Sequence, residues 1–249
     1  MREIRILGVK IDNIIKSEAI KKIEQFLCSD KQNYITTVNP EFLVAARKDR
    51  DFFNILNSAN LSLADGFGLL LMSCFFKPKI KERIAGSDLI DDIFNIAEKK
   101  DCKICLLNWK NGLSKKQEID MALKSRYPRL RFIIKDIERD YSDLDIKEIN
   151  GFAPKILIVG LGAPYQEKFI YYNLSKMPSV KIAVGIGGAL DFLTGRISRA
   201  PYFIKKAGFE WLWRLFAQPK QRIRRLKRIF TAVVIFPILV LFEKLRVDI

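Results

Sequence analysis

Short apolar runs alternate with amphipathic helical patterns along almost the whole sequence, and this alternation limits the possible folds more than any other feature. The stretch 155–160, KILIVG, is almost wholly apolar, which is typical of a strand covered on both faces. About six strand–helix units follow one another, with no internal repeat. We therefore predict an α/β fold with a Rossmann-like, mostly parallel sheet and helices on both faces.

Apolar runs, glycines, prolines and capping residues indicate where the elements begin and end. Ser17 and Ser87 are each expected to cap a helix, and Pro40 fits the first turn of another. The helix predicted at 67–76 is strongly apolar and is therefore expected to be buried. The predicted strands are 5–9, 34–38, 61–64, 103–107, 130–134, 155–160 and 182–184; helices are predicted at 52–57, 67–76, 88–99 and 114–126, with another beginning near Gln166.

Polar residues and glycines follow several of the predicted strands. Ligands of open parallel sheets bind beyond the carboxyl ends of the strands, so these residues are candidates for a site. From spacing alone, Asp65 either caps the following helix or takes part in catalysis. Arg83, in a basic loop, either binds a diphosphate or is solvated. The candidates at predicted strand ends are Thr37, Asn39, Asp65, Gly162, Gln166 and Gly187.

Several kinds of chemistry are disfavoured by the residue types present. The chain has no histidine, which removes the commonest zinc ligand and general base, so acid–base chemistry must use other side chains. The GxG at 160–162 lacks the third glycine of a dinucleotide fingerprint, so NAD binding is not expected. The CxxC at 102–105 points to opposite faces of a strand, which favours core packing. The DxD at 143–145 lies in a charged stretch and is interpreted as a solvated helix start. We predict neither a metal nor a cofactor.

Positive charge is concentrated towards the C-terminus. Residues 196–228 contain 11 Lys/Arg and one acid, Glu210, a net +10 of the protein's +16. Such a surface implies an anionic partner: nucleic acid, anionic lipid or a polyphosphate. The 14 residues 229–242 then carry no charge; as a helix they span about 21 Å, short of the roughly 30 Å hydrocarbon core. They either lie in the membrane interface or pack as a buried C-terminal helix.

Three stretches, in the same order, resemble the WecG/TagA/CpsF glycosyltransferase family. The resemblance covers about residues 3–225. The stretches are TVNPE at 37–41 with ADG at 64–66, GLGAPYQEK at 160–168, and GxGGxxDFxxGxxxRAP from Gly185 followed by GFEWLWRL at 208–215.

The resemblance implies an inverting, metal-independent transfer of an N-acetylhexosamine-type sugar, either ManNAc or ManNAcA-like. The donor would be a UDP-sugar and the acceptor a polyprenyl-diphosphate-linked GlcNAc, in cell-surface polysaccharide or teichoic acid synthesis. An inverting transfer needs one base to take a proton from the attacking hydroxyl, and Asp65 fits that role. By resemblance, Thr37 and Asn39 lie beside Asp65 and orient sugar hydroxyls. The residues then expected at the UDP-sugar are Arg83, Gly162, Gln166, Glu167, Gly185, Gly187 and Asp191.

Some of these roles have alternatives. With no metal, backbone N–H groups of the glycine turn and Arg83 would meet the charge of the leaving UDP. Gln166 and Glu167 either contact the nucleotide or structure their loop. Asp191 either holds a ribose or sugar hydroxyl or caps the helix after it. Arg214 and Arg224 are expected at the acceptor diphosphate.

The sequence departs from the family pattern in two places. NWKNG stands at 108–112, where members usually have a glycine pair, and this bears on how that loop meets the nucleotide. Gln221, followed by Arg222, stands where arginine is usual, which bears on the acceptor contacts.

We divide the chain into an α/β catalytic domain, 1–195, and a basic, amphipathic appendage, 196–249, for membrane attachment and site closure. The four cysteines lie in apolar or helical contexts and no signal peptide is recognised, which indicates a reducing compartment. The expected location is therefore the cytoplasmic face of the membrane, as a peripheral protein that can form a homo-oligomer and binds no nucleic acid. The alternative is a basic nucleic-acid-binding or membrane scaffold protein without catalysis.

Overall fold

A computed structural model describes residues 3–201, 204, 212–213 and 222–247 of the 249-residue chain. The strands in chain order are β1 (Glu3–Ile6), β2 (Val9–Asp12), β3 (Asn33–Val38), β4 (Leu61–Ala64), β5 (Ile104–Trp109), β6 (Phe132–Ile137), β7 (Ile156–Gly160) and β8 (Ile182–Gly185). Strands β3 to β8 form one sheet of six strands, all parallel, in the order β4-β3-β8-β7-β5-β6. The predicted α/β fold is confirmed.

Helices pack on both faces of the sheet. Because successive strand residues point to opposite faces, Val184 joins a core cluster with α5 residues, whereas Ala183 joins another with α8 residues. The helices are α1 (Lys16–Leu27), α2 (Pro40–Ala46), α3 (Arg50–Asn57), α4 (Phe67–Met72), α5 (Gly86–Lys99), α6 (Lys116–Arg126), α7 (Ile146–Phe152), α8 (Tyr165–Asn173), α9 (Ala189–Leu193), α10 (Arg222–Phe230) and α11 (Phe236–Val247). A π-helical turn, Thr231–Ile235, joins α10 to α11.

The N-terminal segment is an antiparallel hairpin, so the single strand predicted at 5–9 is wrong. Strands β1 and β2 pair through a two-residue turn, in which Leu7 and Gly8 both have positive φ, +50° and +76°. Two such residues form the tight turn that suits the twist of a hairpin. The hairpin is tied to β4, because the Ser62 backbone N–H donates to Asp12 Oδ2 at 2.8 Å.

Neither serine expected to cap a helix does so. Helix α1 begins at Lys16, before Ser17, and α5 begins at Gly86, before Ser87. At the start of α1 the Glu18 carboxylate accepts the Ile15 backbone N–H at 2.9 Å, so a glutamate side chain satisfies that donor instead.

Helix α4 is buried on one face only, which corrects the prediction that the apolar segment 67–76 is buried. Leu69 and Met72 are buried, but Phe67 is 38% exposed, Leu71 57% and Phe75 54%. Phe67 and Leu71 lie four residues apart on one face of α4, and Phe75 ends the 3-10 turn Ser73–Phe75 that follows the helix. A helix that is apolar on every face carries no signal of which face is covered.

The C-terminal helix is buried on one face and apolar on the other. Phe236 and Val240 are fully buried in a core cluster with Val38, Leu43 and Leu69. Of the two alternatives for residues 229–242, this face therefore shows the packing against the core. The outward-facing apolar residues of α10, the π turn and α11 are Leu226, Phe230, Val233, Val234, Ile238, Leu241, Phe242 and Leu245.

Side chains at both ends of this helix bind the rest of the fold. Arg228 Nε lies 2.5 Å from Glu41 Oε2 at the start of α2. The Glu243 carboxylate accepts the Leu7 backbone N–H of the hairpin turn at 2.9 Å. Within the part of the chain that the structure describes, no helix is long and apolar enough to cross a membrane.

Candidate active site

The carboxyl ends of β4, β3, β8 and β7 lie side by side along one edge of the sheet. Neighbouring strands are about 4.8 Å apart, so this edge spans roughly 14 Å from β4 to β7. Most of the predicted site residues fall into two groups along it. The Asp65 group, after β4 and β3, is Thr37, Asn39, Asp65 and Arg83, together with Gly86, which was not predicted; the Gln166 group, after β7 and β8, is Gly162, Gln166, Glu167, Gly185 and Gly187.

Asp65 directly follows β4, and its carboxylate faces Gly86 and Arg83. Its Oδ2 accepts the Gly86 backbone N–H at 3.2 Å, and its Oδ1 lies 3.7 Å from Arg83 Nε. The side chain is 28% exposed. The N-cap of α4 is Gly66 and no side chain caps that helix, so the capping interpretation of Asp65 is wrong.

Arg83 is held at the site by the loop that carries it. The Ile84 backbone N–H donates to Ala64 O at the end of β4, at 2.8 Å. Asn13 binds the same loop, because its Nδ2 donates to Lys79 O at 2.9 Å and its Oδ1 accepts the Lys81 N–H at 2.8 Å. The Arg83 side chain is only 18% exposed, so the interpretation of a solvated surface cation is wrong.

Thr37 and Asn39 lie next to Asp65, as predicted. Thr37 is 6% exposed, and a Cβ on Gly86 would lie 3.1 Å from Thr37 Oγ1, so Gly86 permits the close approach of the two elements. Asn39 Oδ1 accepts the Phe42 backbone N–H at 3.1 Å and caps α2. The orienting roles of both residues stay predictions.

In the Gln166 group, one side chain binds two glycine turns. Gln166 Oε1 accepts the backbone N–H of Gly162 at 3.1 Å and that of Gly187 at 2.8 Å. Glu167 is completely buried, so of the two interpretations the geometry favours the structuring of the loop over contact with a nucleotide. A Cβ on Gly185 would lie 2.6 Å from Gln166 Nε2 and 2.8 Å from Glu167 Oε1, so this glycine makes room for the pair.

Asp191 connects two loops of the edge. It is the third residue of α9, so the interpretation that it caps this helix is wrong. Its Oδ1 accepts the Ser114 hydroxyl at 2.7 Å. Ser114, 1% exposed, also bonds Thr194 Oγ1 at 2.8 Å, and its carbonyl accepts Asn108 Nδ2 at 3.0 Å. Contact of Asp191 with a ribose or sugar hydroxyl stays a prediction.

Arg139 is a cation of the edge that the sequence reasoning missed. Its guanidinium carbon lies 3.7 Å from the Trp109 ring centroid and 4.8 Å from that of Tyr165. Its Nε donates to Leu161 O at 2.9 Å, beside the Gly162 turn. Trp109 stands in the segment 108–112, where the sequence departs from the pattern of the resembled family. That departure was the one feature of the sequence that pointed to an unusual contact here. Arg139 itself lies in a charged stretch that looks solvated in sequence.

Both aspartates of the DxD at 143–145 accept hydrogen bonds from nearby backbone N–H groups. Asp143 Oδ1 accepts the Glu138 backbone N–H at 2.9 Å, and Asp145 caps α7 by accepting the Lys147 N–H at 2.8 Å. The helix-start interpretation of this DxD is confirmed.

The cysteines of the CxxC pack on opposite sides of the sheet, as predicted. Cys105 is buried in one core cluster, whereas Cys102 packs against the other. Across the described ranges, no group of three or more His, Cys, Asp or Glu is arranged to hold a metal ion.

The predicted acceptor contacts are not described. Arg214 lies outside the described residues, and so does the side chain of Arg224, whose backbone belongs to α10. A cavity of about 350 Å³ lies elsewhere, between the hairpin turn and the α2–α3 junction; it is bounded by Leu7, Ala46, Arg47, Lys48, Arg50 and Phe53 and shares no residue with either group.

Residues 4–248 match the family model described as the glycosyl transferase WecG/TagA/CpsF family. The chain is 33% identical, over 233 residues, to the N-acetylglucosaminyldiphosphoundecaprenol N-acetyl-beta-D-mannosaminyltransferase of Staphylococcus aureus (strain MRSA252), covering 91% of this chain and 89% of that protein. It is 35% identical, over 192 residues, to the Bacillus subtilis (strain 168) protein of the same name, covering 74% of this chain and 72% of the relative.

Proposed function

The chain belongs to the WecG/TagA/CpsF family of glycosyl transferases, and from this premise we propose that it transfers N-acetylmannosamine to a lipid-linked acceptor. The acceptor is the GlcNAc of a polyprenyl-diphosphate-linked GlcNAc, the class of compound to which the N-acetylglucosaminyldiphosphoundecaprenol named for the relatives belongs. The donor is the UDP-sugar, the transfer inverts the anomeric carbon, and no metal takes part. These three details go beyond the relatives' names and belong to the proposal.

The observation that carries the proposal is the environment of Asp65. Its carboxylate follows a strand at the carboxyl edge of a parallel sheet, where ligands of such sheets bind. It is part exposed, with one oxygen bonded to the Gly86 N–H and the other 3.7 Å from Arg83 Nε. A fixed, accessible carboxylate beside a cation can take a proton next to a bound anion.

The chemistry is a single displacement at the anomeric carbon of the donor. The acceptor hydroxyl oxygen forms the new glycosidic bond while the bond between the anomeric carbon and the UDP oxygen breaks. The hydroxyl proton passes to the Asp65 carboxylate, and UDP leaves with the electron pair of the broken bond. Thr37 and Asn39, next to Asp65, orient the sugars for this attack.

Cations meet the charge of the leaving UDP in this proposal. Arg83 is nearest to Asp65, and Arg139 lies at the Gly162 turn on the far side of the edge. From the sequence, we expect the N–H groups of the glycine turn to share this role. The Gly187 N–H, however, already donates to Gln166 Oε1. Both carboxylates of the 143–145 DxD bind backbone N–H groups, which supports a transfer without a metal.

The protein reaches its acceptor at the membrane surface, as a peripheral protein. The outward-facing apolar residues of the C-terminal helix, together with Phe67 and Leu71 of α4 and Phe75 of the turn after it, can enter the interface of the cytoplasmic leaflet. Helices α4 and α11 both pack on the core cluster that contains Leu69 and Phe236, which supports one shared surface.

Residues 196–249 act as an appendage that brings the site to the acceptor. The ion pair between Arg228 and Glu41 supports this, because Glu41 is two residues from Asn39 and anchors the helix near the edge of the sheet. Arg214 and Arg224 remain the candidates for the acceptor diphosphate.

The test is the Asp65→Asn variant, assayed with UDP-ManNAc and a polyprenyl-diphosphate-GlcNAc acceptor. Loss of a general base lowers turnover by about 10²- to 10⁴-fold. UDP affinity, measured by calorimetry, is expected to stay close to that of the unchanged protein because the amide keeps the shape of the carboxylate. Near-normal turnover in Asp65→Asn would remove Asp65 as the base.

Asp143→Asn is the matched control. Asp143 is another part-exposed aspartate that accepts a backbone N–H, but it lies outside both groups, so its turnover should be unchanged, with or without EDTA. A strong loss in this variant, or abolition by EDTA, would point to a metal-dependent transfer.

The rival classes explain fewer of the observations. A nucleic-acid-binding module accounts for the positive charge but gives no role to the Asp65 carboxylate or the glycine turns, and the Trp213 indole N–H donates to Ser198 O at 3.3 Å. Release of UDP that requires the lipid acceptor would exclude a scaffold without catalysis.

A further inference from the structure

Glu167 is a carboxyl group enclosed within the protein, on the face of α8 that packs against the sheet. It has no exposed surface, and its Oε1 accepts Gln166 Nε2 at 2.7 Å. Removal from water raises the pKa of Glu167 to about 7. Such a group cannot touch a substrate in the edge, so any effect on the reaction must pass through Gln166.

The Gln166 carboxamide has two ends with opposite hydrogen-bonding character. Its oxygen accepts the N–H groups of Gly162 and Gly187, both of which have positive φ, +75° and +53°. Its nitrogen donates to Glu167. A flipped carboxamide would point its NH₂ group at two N–H donors and its oxygen at the Glu167 oxygen, so Glu167 and the two N–H groups together fix which way the amide lies.

The two glycines belong to turns that follow adjacent strands. Gly162 follows β7 and Gly187 follows β8, and the two strands pair directly. One oriented oxygen therefore sets the distance between two loops at the edge of the sheet. The space for this arrangement comes from Gly185, where any Cβ would collide with both side chains.

The other side of the Glu167 carboxyl contains further buried oxygens. Among the residues that the structure describes, Glu167 Oε2, Tyr34 Oη and Thr36 Oγ1 have no hydrogen-bond partner. Tyr34 and Thr36 lie two residues apart on β3, so they share a face, and burial and the nearby Glu167 carboxylate raise the Tyr34 pKa. Two to four polar partners are what a buried water requires, and these oxygens are three in number.

We propose that Glu167 is a positioning residue for the transfer: it orients the Gln166 carboxamide, which holds the Gly162 and Gly187 turns at the spacing that the donor needs. A water molecule bonded to Glu167, Tyr34 and Thr36 holds the carboxyl from behind. The proposal rests on the proposed function in one respect, since it assumes that the UDP-sugar lies across these two turns.

The test compares Glu167→Ala with Glu167→Gln. The alanine variant frees the Gln166 amide, so the KM for the UDP-sugar should rise about tenfold or more, while the KM for the lipid acceptor stays unchanged. The glutamine variant keeps a carbonyl oxygen for Gln166 Nε2 and should restore the donor KM. A donor KM that is normal in Glu167→Ala, or not restored in Glu167→Gln, overturns the proposal.

Asn173→Ala is the matched control for a purely structural effect. Asn173 is another buried polar residue of α8, and its Nδ2 donates to Phe169 O at 3.1 Å, away from both turns. This variant should lose thermal stability without a change in the donor KM. If the donor KM rises equally in Asn173→Ala, Glu167 has no positioning role.

Amide hydrogen exchange of the substrate-free protein separates this proposal from the proposed function. The Gly162 and Gly187 amides should be protected in the unchanged protein and in Glu167→Gln, and should exchange faster in Glu167→Ala. Unchanged exchange in Glu167→Ala overturns the proposal whether or not the protein transfers sugar. Absence of transfer in the unchanged protein, with this exchange pattern present, contradicts the proposed function alone.

Discussion

Two carboxyl groups at the edge of the sheet differ in their exposure to solvent, and this difference suits them to different roles. Asp65 is part exposed, bonded to a backbone N–H and 3.7 Å from Arg83 Nε. Glu167 is fully buried, and its carboxyl group accepts a hydrogen bond from the Gln166 side-chain amide. Asp65 is therefore accessible to a substrate, whereas Glu167 contacts only the protein around it.

The buried Glu167 should make the protein less stable as the pH rises through neutrality. Its folded pKa is about 7, raised from 4.5 by desolvation, so the folded state holds the proton more tightly than the unfolded chain. The stabilising effect is complete below pH 4.5 and is lost as the pH rises through 7, a difference of about 3 kcal/mol. Urea unfolding at pH 5 and pH 8 measures most of this change.

Glu167→Gln is the control for this pH dependence, since it cannot ionise. The free energy of unfolding of the unchanged protein should fall relative to this variant between the two pH values. Equal pH dependence in both proteins would mean that Glu167 does not carry the titration.

At the scale of single residues, the sequence indicates which chemistry a side chain can perform, but it does not indicate which other residues that side chain contacts. Asp65 was recognised because it ends an apolar strand and belongs to a recognisable motif. The proposed role of Glu167 depends on Gly185 and Gly187, about twenty positions away, and a single sequence does not reveal such contacts. Arg139 was missed for the same reason, since Trp109 and Tyr165 meet it only in the folded protein.

Among the elements, the C-terminal helix combines two roles on two faces. Phe236 and Val240 fill the core, while Phe230, Leu241 and Phe242 remain outside. Removing the whole helix would therefore open the core as well as remove the outer apolar face. Single substitutions can separate these effects.

Substitution on the inner face should destabilise the fold. Phe236→Ala removes a fully buried ring and should lower the free energy of unfolding by about 3–5 kcal/mol. Phe242→Ala, on the 59% exposed side of the same helix, should change it by less than about 0.5 kcal/mol. Urea unfolding of both variants decides this, and equal losses would contradict the two-faced packing.

Substitution on the outer face should weaken membrane binding. Phe242→Asp places a charge where the ring is exposed, so binding to anionic vesicles should fall severalfold while unfolding stays close to normal. Met121→Asp is the control, because Met121 is 71% exposed but lies on α6, away from this surface. Unchanged partition of Phe242→Asp between vesicles and buffer would contradict the interfacial role.

The elements themselves were largely predictable. The strand at 155–160 was recognised because both faces of the parallel sheet are covered and the strand is apolar throughout. The hairpin of β1 and β2 was not, because its turn contains a leucine at positive φ, which no turn signal indicates. The exposure of α4 was not predictable either, because its apolar residues do not distinguish the inner face from the outer one.

At the scale of the whole molecule, the proposed reaction joins a water-soluble donor to an acceptor that stays in the membrane. The +16 net charge suits a protein that works on an anionic surface and handles two diphosphates. The ion pair between Arg228 of α10 and Glu41 connects the C-terminal helix to the start of α2. Helix α2 begins next to Asn39, so the C-terminal helix lies at the same end of the sheet as the candidate site. A homo-oligomer stays a prediction.

The most direct measurement is a single reaction of the unchanged protein with a polyprenyl-diphosphate-GlcNAc and a panel of UDP-N-acetylhexosamines and uronic acids, in the presence of EDTA. Mass spectrometry of the lipid product and NMR of its new anomeric centre identify the sugar and the stereochemistry. The expected product carries one added N-acetylmannosamine, in the configuration opposite to that of the donor. A lipid left unmodified by every donor, or a product that keeps the donor's configuration, would contradict the proposed transfer.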